Sequence, residues 1–259
     1  MSFERIEPGT PEWDAYYANH IHRYRFAAEV LRERRPERIL DAACGVGYGA
    51  RHLAGELEAD VTAVDRDAKA LAIARREFAH ERLRFIEDDC ATLASAAKHA
   101  PFDTITSFET LEHLKEPEAF LRAAAGVISA DGVLVISVPN GAVASSEDWD
   151  FHERDFDAPG FEKILSDCGF EELQLYGQRV NDIGRLRTQF RGEIHRLRFN
   201  PLVRLGSWIQ VTLRGVAPPP PALPEQVEDF EIYATTADEI AALGKEGPFV
   251  IVAVAARSV

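Results

Sequence analysis

A short apolar run ends in an acid and passes straight into glycines: Ile39-Leu-Asp41-Ala-Ala-Cys-Gly45-Val-Gly47-Tyr-Gly49. The run reads as a buried strand, and the residues after it, to about 58, as a helix. Glycines at such a turn let the backbone come close to a ligand, and the helix start offers unpaired N–H groups. The same glycines also suit a plain tight turn. The reading therefore depends on what else the chain brings to that edge.

Six more strands are expected, at 60–65, 83–89, 102–109, 132–140, 172–179 and 249–257, after the first at 38–44. Helical patterns separate them at 67–79, 117–128 and 157–168, with Asp67 placed as an N-cap and Gly169 as a stop. Alternating strands and helices predict an α/β fold, a seven-stranded, mostly parallel sheet with helices on both faces. We expect one domain over 1–259, opened by a helical cap over 1–35, its helix at 11–34. Residues 181–228 read as an insertion or lid before the last strand. Eight arginines fall between 179 and 214 against two acids, and prolines follow at 218–221 and 224.

The net charge of −14 repels phosphate backbones and argues against a DNA partner. The first residues are polar and acidic, and the longest apolar run, 249–256, falls far short of the roughly 20 residues of a membrane span. Cys44, Cys90 and Cys168 form no CxxC pair and read as free thiols, so a cytoplasmic location is expected. The arginine-rich insertion reverses the overall charge. It suits a small anionic or phosphate-linked substrate, or a packing surface on the core, a membrane or a second copy, as in a homodimer.

Asp65 ends the second strand, 24 residues after Asp41, and Asp89 ends the third, 24 residues after Asp65. A carboxylate at the first of these positions can accept both ribose hydroxyls of a nucleoside. One at the second can accept an adenine amino group. At these residues the chain resembles class I S-adenosylmethionine (SAM)-dependent methyltransferases, which are Rossmann-like. LDAACGVGYG is similar to the family's first motif, VTAVDRD to its ribose motif and FIEDDC to its adenine motif. FDTITSFETLEHL and GVLVISVPN resemble the fourth- and fifth-strand motifs. Ala43 stands where the family usually has glycine.

The resemblance implies cofactor contacts by Asp41, near the SAM amino group, by Gly45 and Gly47, packed on the cofactor, and by Arg66, stacked on adenine. It extends to Ala43, to Asp65, to Asp88, Asp89 and Cys90 of the adenine motif, and to Phe108 of the fourth-strand motif. The segment 20–25, His-Ile-His-Arg-Tyr-Arg, resembles the helix that closes over the methionine end and adds Tyr24. A nicotinamide-dependent oxidoreductase is the rival. It wants GxGxxG where this chain has GxGxG, and no tyrosine here is followed by lysine four residues on.

Methyl transfer from a sulfonium needs mainly alignment, and a hydroxyl acceptor also needs its proton removed. Glu112, His113 and His152 are the catalytic candidates. Glu109, Glu112 and His113 stand at i, i+3 and i+4 and share a face if the segment turns helically. With His152 they can hold a divalent metal, Mg²⁺ or Mn²⁺, that lowers the pKa of a bound hydroxyl. The layout resembles the Glu-x-x-Glu-His site of small-RNA 2′-O-methyltransferases and of ubiquinone-pathway O-methyltransferases. The other readings are His152 as a direct base and a structural, pocket-lining Glu-His pair. HRY near the start and SVPN followed by FHxxxF resemble bacterial methyltransferases of glycan assembly. The expected acceptor is thus the hydroxyl of a sugar or other polyol. A phenol, an RNA terminus, an amino sugar and a non-catalytic SAM-binding module are the alternatives.

Overall fold

The computed structural model describes residues 7–143, 152–181 and 226–258. The helix α1 (Pro11–Leu31) comes first, its N-terminus capped by the Thr10 side chain. It stops before Pro36, short of the expected 34. Then follow β1 (Arg38–Ala42), α2 (Tyr48–Leu57), β2 (Asp60–Asp65), α3 (Ala68–Glu77), β3 (Leu83–Glu87) and β4 (Phe102–Phe108). Asp67 does cap α3, accepting a bond from Lys69 N at 2.8 Å. After these come α4 (Pro117–Val127), β5 (Ile128–Pro139), α5 (Ala158–Asp167), β6 (Phe170–Val180), β7 (Phe230–Thr235), α6 (Ala237–Leu243) and β8 (Val250–Arg257).

The described residues form one eight-stranded sheet, in the order β3-β2-β1-β4-β5-β8-β6-β7. Seven strands were expected, and β7 is the addition. Its sequence, Phe-Glu-Ile-Tyr-Ala-Thr, is half-buried along most of its length and carries a charge, so it lacks the apolar run that marks the inner strands. The expected insertion therefore precedes β7 and not the last strand, and Val227–Asp229 at its far end form a 3₁₀ turn. Residues 182–225, with the arginines from 185 on and the dimer surface expected of them, lie outside the described residues.

The five strands β1 to β5 pair in parallel, whereas β8 runs antiparallel to both β5 and β6. Strand β6 thus points the same way as β5. It pairs antiparallel with β7 from Leu175↔Thr235 to Val180↔Phe230. That hairpin opens at the C-terminal edge of the parallel strands.

Alternation along each strand feeds two cores. Ile39 packs with Leu31, Leu53 and Leu71 under α1, α2 and α3. Leu40 packs with Phe120, Phe161 and Ile240 under α4, α5 and α6. Strand order reverses between β1 and β4, and such a switch point leaves a crevice at the strand ends. No helix among the described residues is long and apolar enough to cross a membrane.

Candidate functional site

The crevice at the ends of β1, β2, β4 and β5 is a cavity of about 560 Å³, closed on one side by α1. Tyr16, Asn19, His20, Arg23 and Tyr24 line it from that helix. Their spacing puts them on one helical face.

The turn after β1 is built from left-handed backbone. Ala43, Gly45 and Gly47 have φ of 62°, 56° and 88°. Asp65 holds this turn to the next one: its Oδ2 accepts from Gly45 N and its Oδ1 from Asp67 N, both at 2.9 Å. Asp65 also lines the cavity, as do Ala43, Cys44, Gly45, Arg66, Asp89, Cys90 and Phe108.

Three expected contacts lie elsewhere. Gly47 is behind the wall, because a Cβ there would sit 2.6 Å from Phe85 Cε1 and 2.9 Å from the Ala74 Cβ. It is bare so that α3 and β3 can close on the turn. Asp88, one residue past the end of β3, does not line the cavity. Its Oδ2 accepts from Ser95 N and Ala96 N at 2.9 and 2.8 Å, which caps the next 3₁₀ turn. Asp41 is completely buried beneath the cavity wall. Thr106 Oγ1 donates to its Oδ1 at 2.7 Å and the Tyr24 hydroxyl lies 3.3 Å from both oxygens. Burial lifts its carboxyl to about 7 against the pull of these bonds. Gly49 is bare for Tyr24, whose ring a Cβ there would overlap.

Also at the cavity, a 3₁₀ turn at Leu111–His113 brings Glu112 and His113 together, with His113 Nε2 3.8 Å from Glu112 Oε1. The rings of His113 and His152 are 5.0 Å apart. Ligand atoms of Glu112, His113 and His152 all lie within 4.8 Å of one another. Glu153 N donates to the main-chain oxygen of Glu112 at 2.7 Å, which ties the His152 segment to the turn. Glu112 is 1 % exposed and neither carboxylate oxygen has a hydrogen-bond partner among the described residues. Burial, then the charge of Glu109, pushes its carboxyl well above the usual range. Burial and the neighbouring His113 hold His152 below the usual imidazole value.

Glu109 does not join this trio. Its φ of 52° takes it out of the helical register that a shared face required. Its Oε1 instead accepts from Ser137 Oγ at 2.8 Å. It still lines the cavity, so the fourth expected ligand is near the trio but committed to β5.

Several residues at or beside the cavity were not among the expected site residues. Arg23 is 1 % exposed, and its Nε and Nη2 have no partner among the described residues. A charged residue inside the inward stripe of α1 was the available signal. Asn140, at the end of β5, is fully buried. Its Nδ2 donates to Pro248 O at 2.8 Å and its Oδ1 accepts from Ala142 N at 3.1 Å. It joins the segment bearing Phe249 and Val250 to the one bearing His152, through a bridge to Phe156. Leu114, Pro139, Phe249 and Val250 give the cavity an apolar wall.

Residues 40–136 match the family model described as "Methyltransferase domain". The chain is 31 % identical over 154 residues to a probable S-adenosylmethionine-dependent methyltransferase of Mycobacterium tuberculosis, covering 56 % of this chain and 54 % of the relative. It is 33 % identical over 108 residues to the ubiquinone biosynthesis O-methyltransferase of Neisseria meningitidis, covering 41 % and 45 %. The chain thus spans about half the length of these curated relatives. A solved SAM-dependent methyltransferase of Thermotoga maritima, a possible histamine N-methyltransferase, shares the fold. Its TM-score is 0.54 at 12 % identity, covering 95 % of this chain and 98 % of that one. The glycine turn, the acids at the strand ends and the domain match fall on one edge of one sheet, and in this the chain is similar to the class I SAM-dependent methyltransferases.

Proposed function

We propose that this chain transfers a methyl group from SAM to a hydroxyl of a small molecule. The observation that supports the reading is that the lining of one cavity includes both Asp65 and Asp89, a set suited to a nucleoside, and Glu112, His113 and His152, a set suited to deprotonating a hydroxyl. Asp65 suits the ribose hydroxyls, Asp89 the adenine amino group, and the left-handed Gly45 a close approach of the donor. Arg23 offers its unpaired Nε–H and Nη2–H as a fork for the donor's carboxylate. The Tyr24 hydroxyl, held by Asp41, offers an oxygen that can accept from the donor's ammonium.

The trio fits a divalent cation: a buried carboxylate with both oxygens unpaired stands beside two imidazoles. Glu112, His113 and His152 would hold the ion, which in such a site acidifies a bound hydroxyl. Two nitrogens favour Mn²⁺, Fe²⁺, Co²⁺ or Zn²⁺ over Mg²⁺. The residues themselves position the acceptor: His152 is neutral and faces the cavity, ready to take the hydroxyl proton where no ion does so. Two relatives named as ubiquinone biosynthesis O-methyltransferases support transfer to oxygen.

The acceptor class expected from the sequence is a sugar or other polyol. The apolar wall of Leu114, Pro139, Phe249 and Val250 favours a second reading, a phenol with a neighbouring oxygen, because a sugar leaves its other hydroxyls unpaired there. The test is release of S-adenosylhomocysteine from SAM with a panel of sugar and phenolic diols, in EDTA and with added Mn²⁺. We expect turnover of a diol, lost in EDTA and restored by Mn²⁺. Turnover unaffected by EDTA, with no metal bound, assigns the proton to His152 alone. No turnover with any hydroxyl acceptor overturns the reading.

A further inference from the structure

A buried arginine is ordinarily paired with a carboxylate, because an isolated charge is costly to desolvate. Arg23 departs from this. Its Nη1 donates to Asn19 Oδ1 and to Gln178 Oε1, both at 2.7 Å, and both partners are neutral amides. Gln178 is fully buried on β6 and is itself fixed: its Nε2 donates to the Asn19 main-chain oxygen at 3.0 Å. The amides hold the guanidinium plane without cancelling its charge. The two unpaired donors, Nε and Nη2, form the edge that matches the paired oxygens of a carboxylate. The charge is felt by its neighbours, since burial and then Arg23 hold His20 and His22 neutral, His22 down to about 4.

We propose that Gln178 is a positioning residue that keeps Arg23 an uncompensated carboxylate receptor, and so sets the preference for a methyl donor with an intact carboxylate. The inference rests on the reading of this cavity as the SAM site. A glutamate at 178 would occupy the same space and neutralise the guanidinium. Glutamine is therefore the residue that gives orientation with charge retained.

The experiment is calorimetric binding of SAM and of decarboxylated SAM to the full chain and to Gln178→Glu, Gln178→Met and Arg23→Met. In the wild type, SAM should bind at least about 10-fold tighter than its decarboxylated form. Gln178→Glu should weaken SAM about 10- to 100-fold and leave decarboxylated SAM within about twofold. Gln178→Met, which frees the guanidinium but leaves its charge, should weaken SAM by less than Gln178→Glu. Equal losses for both ligands, or unchanged SAM affinity in Gln178→Glu, overturn the positioning role. If Arg23→Met abolishes the preference while both Gln178 variants keep it, the carboxylate assignment stands and the role of Gln178 falls. If Arg23→Met keeps the preference, the assignment of Arg23 falls with it.

Discussion

The hydroxyl of Tyr24 lies 3.3 Å from each carboxylate oxygen of Asp41, joining the cap helix to the first strand through one buried acid. Asp41 is lifted from the ordinary 3.8 to about 7. The folded chain keeps a proton there that the unfolded chain has lost. Stability contributed by this group is therefore full below pH 4, falls as pH rises, and levels off above 7. At 1.36 kcal/mol per unit, the loss is on the order of 4 kcal/mol. His22, depressed to about 4, acts with the opposite sign between 4 and 6.5. Chemical denaturation of wild type and Asp41→Asn from pH 4 to 8 cancels that term. The difference should move by a few kcal/mol in favour of Asp41→Asn as pH rises. A flat difference means Asp41 is ionised throughout.

Two glycines of the turn should respond differently. A side chain at Gly47 meets Phe85 and Ala74 at 2.6–2.9 Å and forces φ of 88° on a non-glycine residue. Gly47→Ala should cost about 2–4 kcal/mol of stability, partly recovered by Phe85→Leu. Gly45 has open space around its missing Cβ, so Gly45→Ala should cost only about 1 kcal/mol in stability. Because Gly45 lines the cavity, that variant should lose SAM affinity instead. Thermal melts with and without SAM separate the two cases.

Ala43 carries a left-handed φ of 62°, a conformation that favours glycine. Ala43→Gly should raise stability by about 0.5–1 kcal/mol by removing the strain. A loss of stability would show that the Ala43 methyl packs well enough to offset it.

Asn140→Ala leaves Pro248 O and Ala142 N without their partner in a buried place. The cost should be about 2–4 kcal/mol. SAM affinity should hold, because no donor contact passes through Asn140. The acceptor KM should rise, because Phe249 and His152 both lie on segments that Asn140 pins. Steady-state kinetics with each substrate varied in turn decide it.

The alternation of strands and helices, and the acids at their ends, were legible because burial on both faces leaves long apolar runs with sharp ends. Asp65 stands where its place at the end of β2 required. Asp88 and Asp89 show the limit: in a loop, one residue decides whether a carboxylate caps a turn or faces a ligand, and composition is blind to it. Gly47 and Gly49 were legible as glycines but not as to whose side chain they admit. Glu109 was misjudged because helical spacing presumes helical backbone, and its φ of 52° breaks that premise. Arg23 and Gln178 stand 155 residues apart, so no local pattern could have paired them.

The β6–β7 hairpin closes with Val180 opposite Phe230, whatever lies between those residues. Its ladder runs without a register shift from Leu175↔Thr235 to Val180↔Phe230. Residues can be gained or lost there without shifting the sheet register. Because the opening lies at the edge that bears the cavity, a change of length at this one point would alter what borders the cavity and leave the strands that carry Asp65 and Asp41 untouched. Sequence variation across the family should accordingly concentrate between these two strands.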